Sequence, residues 1–297
     1  MEEYKTVIIG SGIAGMTAGI YLRRAGIETL VIENNMPGGT LNNIYRVENY
    51  PGYNNINGTD LALNIYNQFQ EYNPKYLYED IKNIDLEEKV ITTSSKKIKY
   101  HYLIIATGRK SRGLNISNED SYIGHGISFC ASCDGALYKD KTVVVVGGAN
   151  TAVTDALYLA DICKKVYIIY RKDDLRAEDV LKKRVELKSN IEILYNKNIT
   201  KYLTNDENIT GVLLDDGTKI DTSCVFLAIG ALPNSELFDV TKNNGYIEVD
   251  NSYQTSTLDV YACGDVIDKK VYQLVTASAE GIVVANSIIE KEVKERK

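Results

Sequence analysis

The sequence holds two histidines, four prolines and no tryptophan, and its five cysteines stand at 130, 133, 163, 224 and 263. A structural zinc site needs four N or S ligands. With only His101, His125 and one close cysteine pair, this chain is a poor candidate for one, and no metal is expected. Positive charge is also short. A net charge of −6 argues against a nucleic-acid partner, whose phosphates would repel the protein. No apolar run reaches the ~20 residues of a membrane span. The N-terminus enters a strand-like run directly, without the charged and apolar regions of a signal peptide. Together these absences predict a cytoplasmic protein with neither a membrane nor a nucleic-acid partner.

What is present begins with a glycine-rich turn. Thr6 to Ile9 form a β-branched run that opens into Gly10-Ser-Gly-Ile-Ala-Gly15. Glycines at 10, 12 and 15 suit a tight turn, close approach of backbone N–H groups to a pyrophosphate, and close packing of helix on strand. The spacing after it predicts a helix over 16–25 and a strand over 28–32. Glu33, at the end of that strand, is placed to accept hydrogen bonds from ribose hydroxyls. An adenine dinucleotide site is therefore expected here, a bare βαβ unit being the alternative.

A second turn follows the run 141–146, with Gly147, Gly148 and Ala149 ahead of a helix that continues through Leu159. Ala149 stands where the close-approach glycine is expected. The next strand, 165–169, ends in Tyr170-Arg-Lys172 with Arg176 nearby, not in an acid. Cations at that strand end suit a 2′-phosphate, so this site should prefer NADP to NAD; a solvated charge run is the plain alternative. A chain of 297 residues predicts about two domains. Strand runs alternating with helical stretches predict parallel α/β sheets.

Between the two turns lies Cys130-Ala-Ser-Cys133, followed by Asp134 and Gly135. In a reducing compartment a C-x-x-C is half a zinc site or a redox pair, and the ligand shortage favours the redox pair. Cys163, Cys224 and Cys263 lie in apolar surroundings and read as buried, inert thiols. Asp134 is either an acid–base group for the pair or a cap for the following turn.

These residues together resemble the low-molecular-weight thioredoxin reductases, FAD enzymes of the pyridine nucleotide-disulfide oxidoreductase class. The resemblance runs along essentially the whole chain. Its motifs come in family order: Gly10 to Gly15, Pro37-Gly-Gly39, Val47 to Gly52, Ala106-Thr-Gly108, Cys130 to Gly135, Gly147 to Ala152, Tyr170 to Ala177, Ala228-Ile-Gly230, Tyr261 to Asp265 and Gln273 to Ala277.

The resemblance implies two Rossmann-like, three-layer nucleotide-binding domains, the second inserted in the first. An FAD domain would comprise 1–113 and 246–297; an NAD(P)H domain carrying the dithiol would comprise 114–245, with hinges near 112–118 and 242–248. FAD would be held by Gly10, Gly12, Ala14, Gly15, Glu33, Gly38, Gly39, Asn49, Ala106, Thr107, Gly108, Gly264, Asp265 and Gln273. NADPH would be held by Gly147, Asn150, Thr151, Ala152, Arg171, Lys172, Arg176 and Gly230. Electrons would pass from NADPH through FAD to the Cys130/Cys133 pair and on to thioredoxin or a thioredoxin-like protein. By motif position, Cys133 would face the flavin, Cys130 would attack the partner and Asp134 would move the proton. A homodimer is implied as well.

Four positions depart from the family pattern: Ala149 for Gly, Tyr170 for His, Lys172 for Arg and Tyr272 for Arg. They bear on the electron donor, for which ferredoxin or another non-nicotinamide donor is the alternative. A flavin reductase or a nucleotide sensor without a protein disulfide substrate is the other alternative.

Overall fold

In the computed structural model the described residues are 1–44, 47, 49–205 and 207–295. The chain forms two compact units, Met1–Ile44 with Ile56–Lys110 and Leu232–Lys297, and Tyr45–Asn55 with Ser111–Ala231. The mixed α/β class with two Rossmann-type units is as expected. The sequence places the change-overs at 113–114 and 245–246, whereas the chain changes unit at 110–111 and 231–232. The reason is local bonding. Asn234 bonds the turn at Thr107, and Phe238 sits in the first unit's core.

In the first unit, strands Lys75–Tyr78, Thr29–Glu33, Glu2–Ile9 and Lys97–Ile105 lie side by side in parallel. The strand Val260–Ala262, from the far end of the chain, pairs in parallel with 103–105. Residues alternate across a strand. Accordingly Val7, Ile9, Leu30, Ile32, Leu103 and Ile105 point into one core, which Val260, Ala262 and Phe238 complete. The helices Ile13–Arg24 and Leu274–Glu295 pack closely enough that a Cβ on Gly281 would lie 2.4 Å from the carbonyl oxygen of Ala14.

The second unit is a parallel sheet in the order Ile191–Tyr195, Lys165–Tyr170, Thr142–Val146, Cys224–Leu227 and Ile127–Ser128. Both faces of its central strands are covered, which explains their unbroken apolar runs. Val143, Val145, Ile168, Cys224 and Phe226 enter the core beneath the helix Asn150–Ala160. Val144, Val146, Ile169, Val225 and Leu227 enter a second core that includes the antiparallel strands Ile199–Thr204 and Ile209–Leu214. Among the described residues no helix is long and apolar enough to cross a membrane.

Candidate active site

The first glycine turn is built by backbone crowding. Gly10 has φ +99°, and a Cβ there would lie 2.5 Å from the carbonyl oxygen of Ala106. A Cβ on Gly15 would lie 2.1 Å from the carbonyl oxygen of Gly10. Gly12 is different: a Cβ there would meet nothing within 4 Å. Gly12 is also the N-cap of the helix Ile13–Arg24, and no side chain caps that terminus. First-turn N–H groups without a side-chain cap, beside open space at Gly12, fit a pyrophosphate.

Several other residues expected at FAD lie at this turn. Glu33 Oε2 accepts from Ser11 N at 2.8 Å and Ser11 Oγ at 2.9 Å, while its Oε1 accepts from the backbone N–H groups of Asn34 and Asn35. Gly38 N donates to Ser11 O at 2.8 Å, and a Cβ on Gly39 would touch Gly12. A Cβ on Gly264 would lie 3.0 Å from that of Ala14, which brings Asp265 to the same end of the sheet. Thr107 Oγ1 donates to Asn234 O at 2.6 Å, and Asn234 Nδ2 returns a bond to Thr107 O at 2.9 Å. Gln273 N donates to Thr276 Oγ1 at the start of the last helix. Asn49 lies in the segment that groups with the second unit, and Glu48 of its motif lies outside the described residues. Sequence reasoning missed Asn234, which lies far along the chain from the turn it braces and carries no motif of its own.

At the second turn Gly147 has φ +140°, with space for no side chain beside the carbonyl oxygen of Ala228 and the methyl of Ala152. Ala149 is the N-cap of the helix Asn150–Ala160, again without a side-chain cap. Tyr170 is buried and its ring lies on Gly148, where a Cβ would stand 2.5 Å from ring carbon. The ring thus makes a floor for the turn. Asn150 Nδ2 donates to Glu178 Oε1 at 2.9 Å and Asn150 Oδ1 accepts from Glu178 N at 2.9 Å, tying the helix start to the loop that follows Tyr170. Thr151 is exposed and Ala152 buried in the same first turn, and Gly230 accepts through its carbonyl from Arg112 N. Arg171, Lys172 and Arg176 are exposed. No ion pair among the described residues neutralises these three cations, so an anionic ligand fits beside them.

Cys130 and Cys133 are joined in a disulfide, with Cα atoms 5.3 Å apart. Cys130 is the N-cap of the short helix Ala131–Asp134, whose turn places Cys133 N 3.2 Å from Cys130 O. Both cysteines are half-buried. Asp134 makes no cap bond to the turn after it. Instead its Oδ2 accepts from Ser128 Oγ at 2.6 Å, and its Oδ1 is buried without a hydrogen-bond partner. Burial pushes the carboxyl above its ordinary range, with the Ser128 bond opposing in part. Ser128 also accepts from Cys130 N at 3.1 Å, so one hydroxyl joins the dithiol's backbone to the acid. Nothing local in the sequence marks Ser128 for this role. Cys163, Cys224 and Cys263 are buried free thiols, and burial pushes Cys163 up to about 11. They are not available as thiolates. Among the described residues no group of acidic, histidine or cysteine side chains could hold a metal.

The family model for pyridine nucleotide-disulphide oxidoreductase matches residues 4–281. The chain belongs to that family. It is 37% identical to the thioredoxin reductase of Bacillus subtilis, over 96% of this chain and 93% of that protein. It is equally, at 37%, identical to the thioredoxin reductase of Ureaplasma parvum, over 96% of this chain and 95% of that one. The crystal structure of thioredoxin reductase from Streptococcus pyogenes matches with a TM-score of 0.92 and 33% identity, over 98% of this chain and 99% of that one. A joined C-x-x-C on a nucleotide-binding unit is the chemistry the family's name describes.

Proposed function

We propose that this family member is an FAD-dependent thioredoxin-disulfide reductase, with NADPH as donor and thioredoxin or a thioredoxin-like protein as acceptor. The observation that carries the reading is the Cys130–Cys133 disulfide, set beside the buried carboxyl of Asp134 on a unit with its own glycine turn. The FAD-binding domain is the first unit. Its contacts are Gly10, Gly12, Ala14, Gly15, Glu33, Gly38, Gly39, Ala106, Thr107, Gly108, Gly264, Asp265 and Gln273; the family resemblance adds Asn49. The NADPH contacts are Gly147, Asn150, Thr151, Ala152, Arg171, Lys172, Arg176 and Gly230. When bound, NADPH and FAD together supply the electron pair that opens the disulfide.

The chain's own residues do the rest. Two electrons and two protons convert the disulfide to a dithiol. The Cys130 thiolate then attacks the partner's disulfide, one partner sulfur leaves, and a mixed disulfide forms. Cys133 attacks Cys130 Sγ, which restores the pair and releases the reduced partner. A carboxyl raised by burial stays protonated to higher pH than a free aspartate, so Asp134 is suited to hand a proton to a departing thiolate. The protein works as a homodimer in the cytoplasm.

Single replacements Cys130→Ser and Cys133→Ser test the relay. Each should lose thioredoxin reduction by at least about a thousandfold while keeping bound flavin, because each thiol has a step no neighbour performs. Thioredoxin turnover retained in either variant sinks the reading. For the donor, anaerobic NADPH should bleach the flavin, and Arg171→Ala with Arg176→Ala should erase most of a more than tenfold preference over NADH. Bonds to charged groups are worth about 1.5–3 kcal/mol each, so two suffice for that ratio. Bleaching by reduced ferredoxin, with none by NADPH, would overturn the donor assignment.

A further inference from the structure

Three stretches that carry expected FAD contacts, 106–109, 264–269 and 272–273, are joined in the first unit by one cluster of side chains. Arg109, directly after Ala106-Thr107-Gly108, has its guanidinium 3.8 Å from the centre of the Tyr272 ring and its Nε 3.4 Å from Asp265 Oδ2. Lys269 approaches from the other side of the carboxylate, with Nζ 3.2 Å from Asp265 Oδ1 and 5.3 Å from the same ring. Lys269 also donates to both oxygens of Glu280 at 2.9 Å, and Glu280 Oε2 accepts from Gly264 N at 2.7 Å. The Tyr246 ring adds a contact at 5.8 Å, and burial holds the Tyr272 phenol up at about 12, so it remains neutral.

The parts of this cluster differ in exposure. Lys269 and Glu280 side chains are 10% and 6% exposed, whereas Arg109 and Asp265 keep 28% and 25%. The inner pair is structural: a nearly buried lysine satisfied by carboxylates, one of which fixes the Gly264 backbone. The outer pair stays open to a ligand. Each Asp265 oxygen has a second acceptor direction left after its cation contact, and a guanidinium has five donors of which one makes an ion pair here. A planar cation stacked on a ring and a fork-shaped donor set are arginine properties that lysine lacks.

We propose that Arg109 is a positioning residue for FAD: by gripping Asp265 and stacking on Tyr272, it holds the 106–109, 264–269 and 272–273 segments in one register at the flavin. The proposal rests on the flavoprotein reading above and adds to it residues outside the glycine turns.

The test is titration of the apoprotein with FAD, followed by flavin fluorescence and by the visible absorption of the bound flavin, with thermal unfolding of each apoprotein as control. Arg109→Ala should raise the FAD dissociation constant at least tenfold and change the shape of the flavin band, with the apoprotein's midpoint close to that of the parent. Arg109→Lys, which keeps the charge and loses the stack, should fall between the two; it carries the test if Arg109→Ala does not fold. Tyr272→Leu should weaken FAD similarly, and the double variant with Arg109→Ala should be little worse than either single one, since both remove the same contact. Wild-type affinity and band shape in Arg109→Ala would reduce the cluster to a brace of the fold and overturn the proposal. Failure of the unaltered protein to take up FAD would instead overturn the flavoprotein reading, and this proposal with it.

Discussion

Asp155, on the helix Asn150–Ala160, is a carboxylate with no compensation: burial alone pushes it up to about 6, and no hydrogen bond or ion pair among the described residues reaches it. A carboxyl whose folded-state pKa exceeds its unfolded value contributes stability that is complete below the unfolded pKa, near 4, and is lost as pH rises through the folded value. For Asp155 the window therefore runs from about pH 4 to about 6. Asp155→Asn removes that dependence. The variant should exceed the parent by about 2–3 kcal/mol at pH 8, by about half of that at pH 5 and by much less at pH 4, read from urea midpoints. An equal gain at all three pH values would show that shape, not ionisation, was responsible. Asp134 is the contrasting case, since its buried carboxyl keeps a partner in Ser128 and lies next to the dithiol. Two raised carboxylates in one unit thus separate by surroundings: one adjoins reactive sulfur, the other only a helix.

At the scale of elements, the two glycine turns were readable because everything they need is local. Strand run, glycine spacing and helix follow one another within a few residues, and φ of +99° at Gly10 and +140° at Gly147 is the backbone reason for those glycines. What escaped were contacts that no motif spells out, most of them across long stretches of chain: Asn234 on Thr107, Arg109 on Tyr272 and the Tyr170 ring on Gly148, with Ser128 on Asp134 at shorter range. Tyr170 and Tyr272 stand out in the sequence as departures from the family pattern, but sequence says nothing of the atoms that meet them. The placement of 232–245 in the first unit escaped for the same reason, since hydrogen bonds and core contacts decide it. One close approach gives a test at this scale. A Cβ on Gly281 would lie 2.4 Å from Ala14 O and 3.1 Å from Ala18 N, both backbone atoms of the helix that starts at the first glycine turn. Backbone cannot swing aside as a side chain can, so Gly281→Ala must push the two helices apart, at a cost of about 1–3 kcal/mol. The variant should melt lower and also release FAD more readily. Unchanged melting and unchanged flavin content would mean that the helices have slack at this crossing.

For the whole molecule, each unit has its own apolar core and its own glycine turn. Two cores of this size need not melt together, and a protein of two units departs readily from two-state behaviour. A ligand that binds one folded unit stabilises it by RT ln(1 + [L]/Kd), about 2.7 kcal/mol at a hundred times Kd. For a unit of this size that corresponds to roughly 5–10 °C in midpoint. Calorimetry of the apoprotein should therefore show two overlapping transitions. FAD should raise one of them by that amount, and NADP⁺ should raise the other, which Arg171→Ala with Arg176→Ala should abolish without touching the FAD effect. A single transition raised alike by either nucleotide would show that the units unfold as one body, and would remove the basis for assigning one cofactor to each.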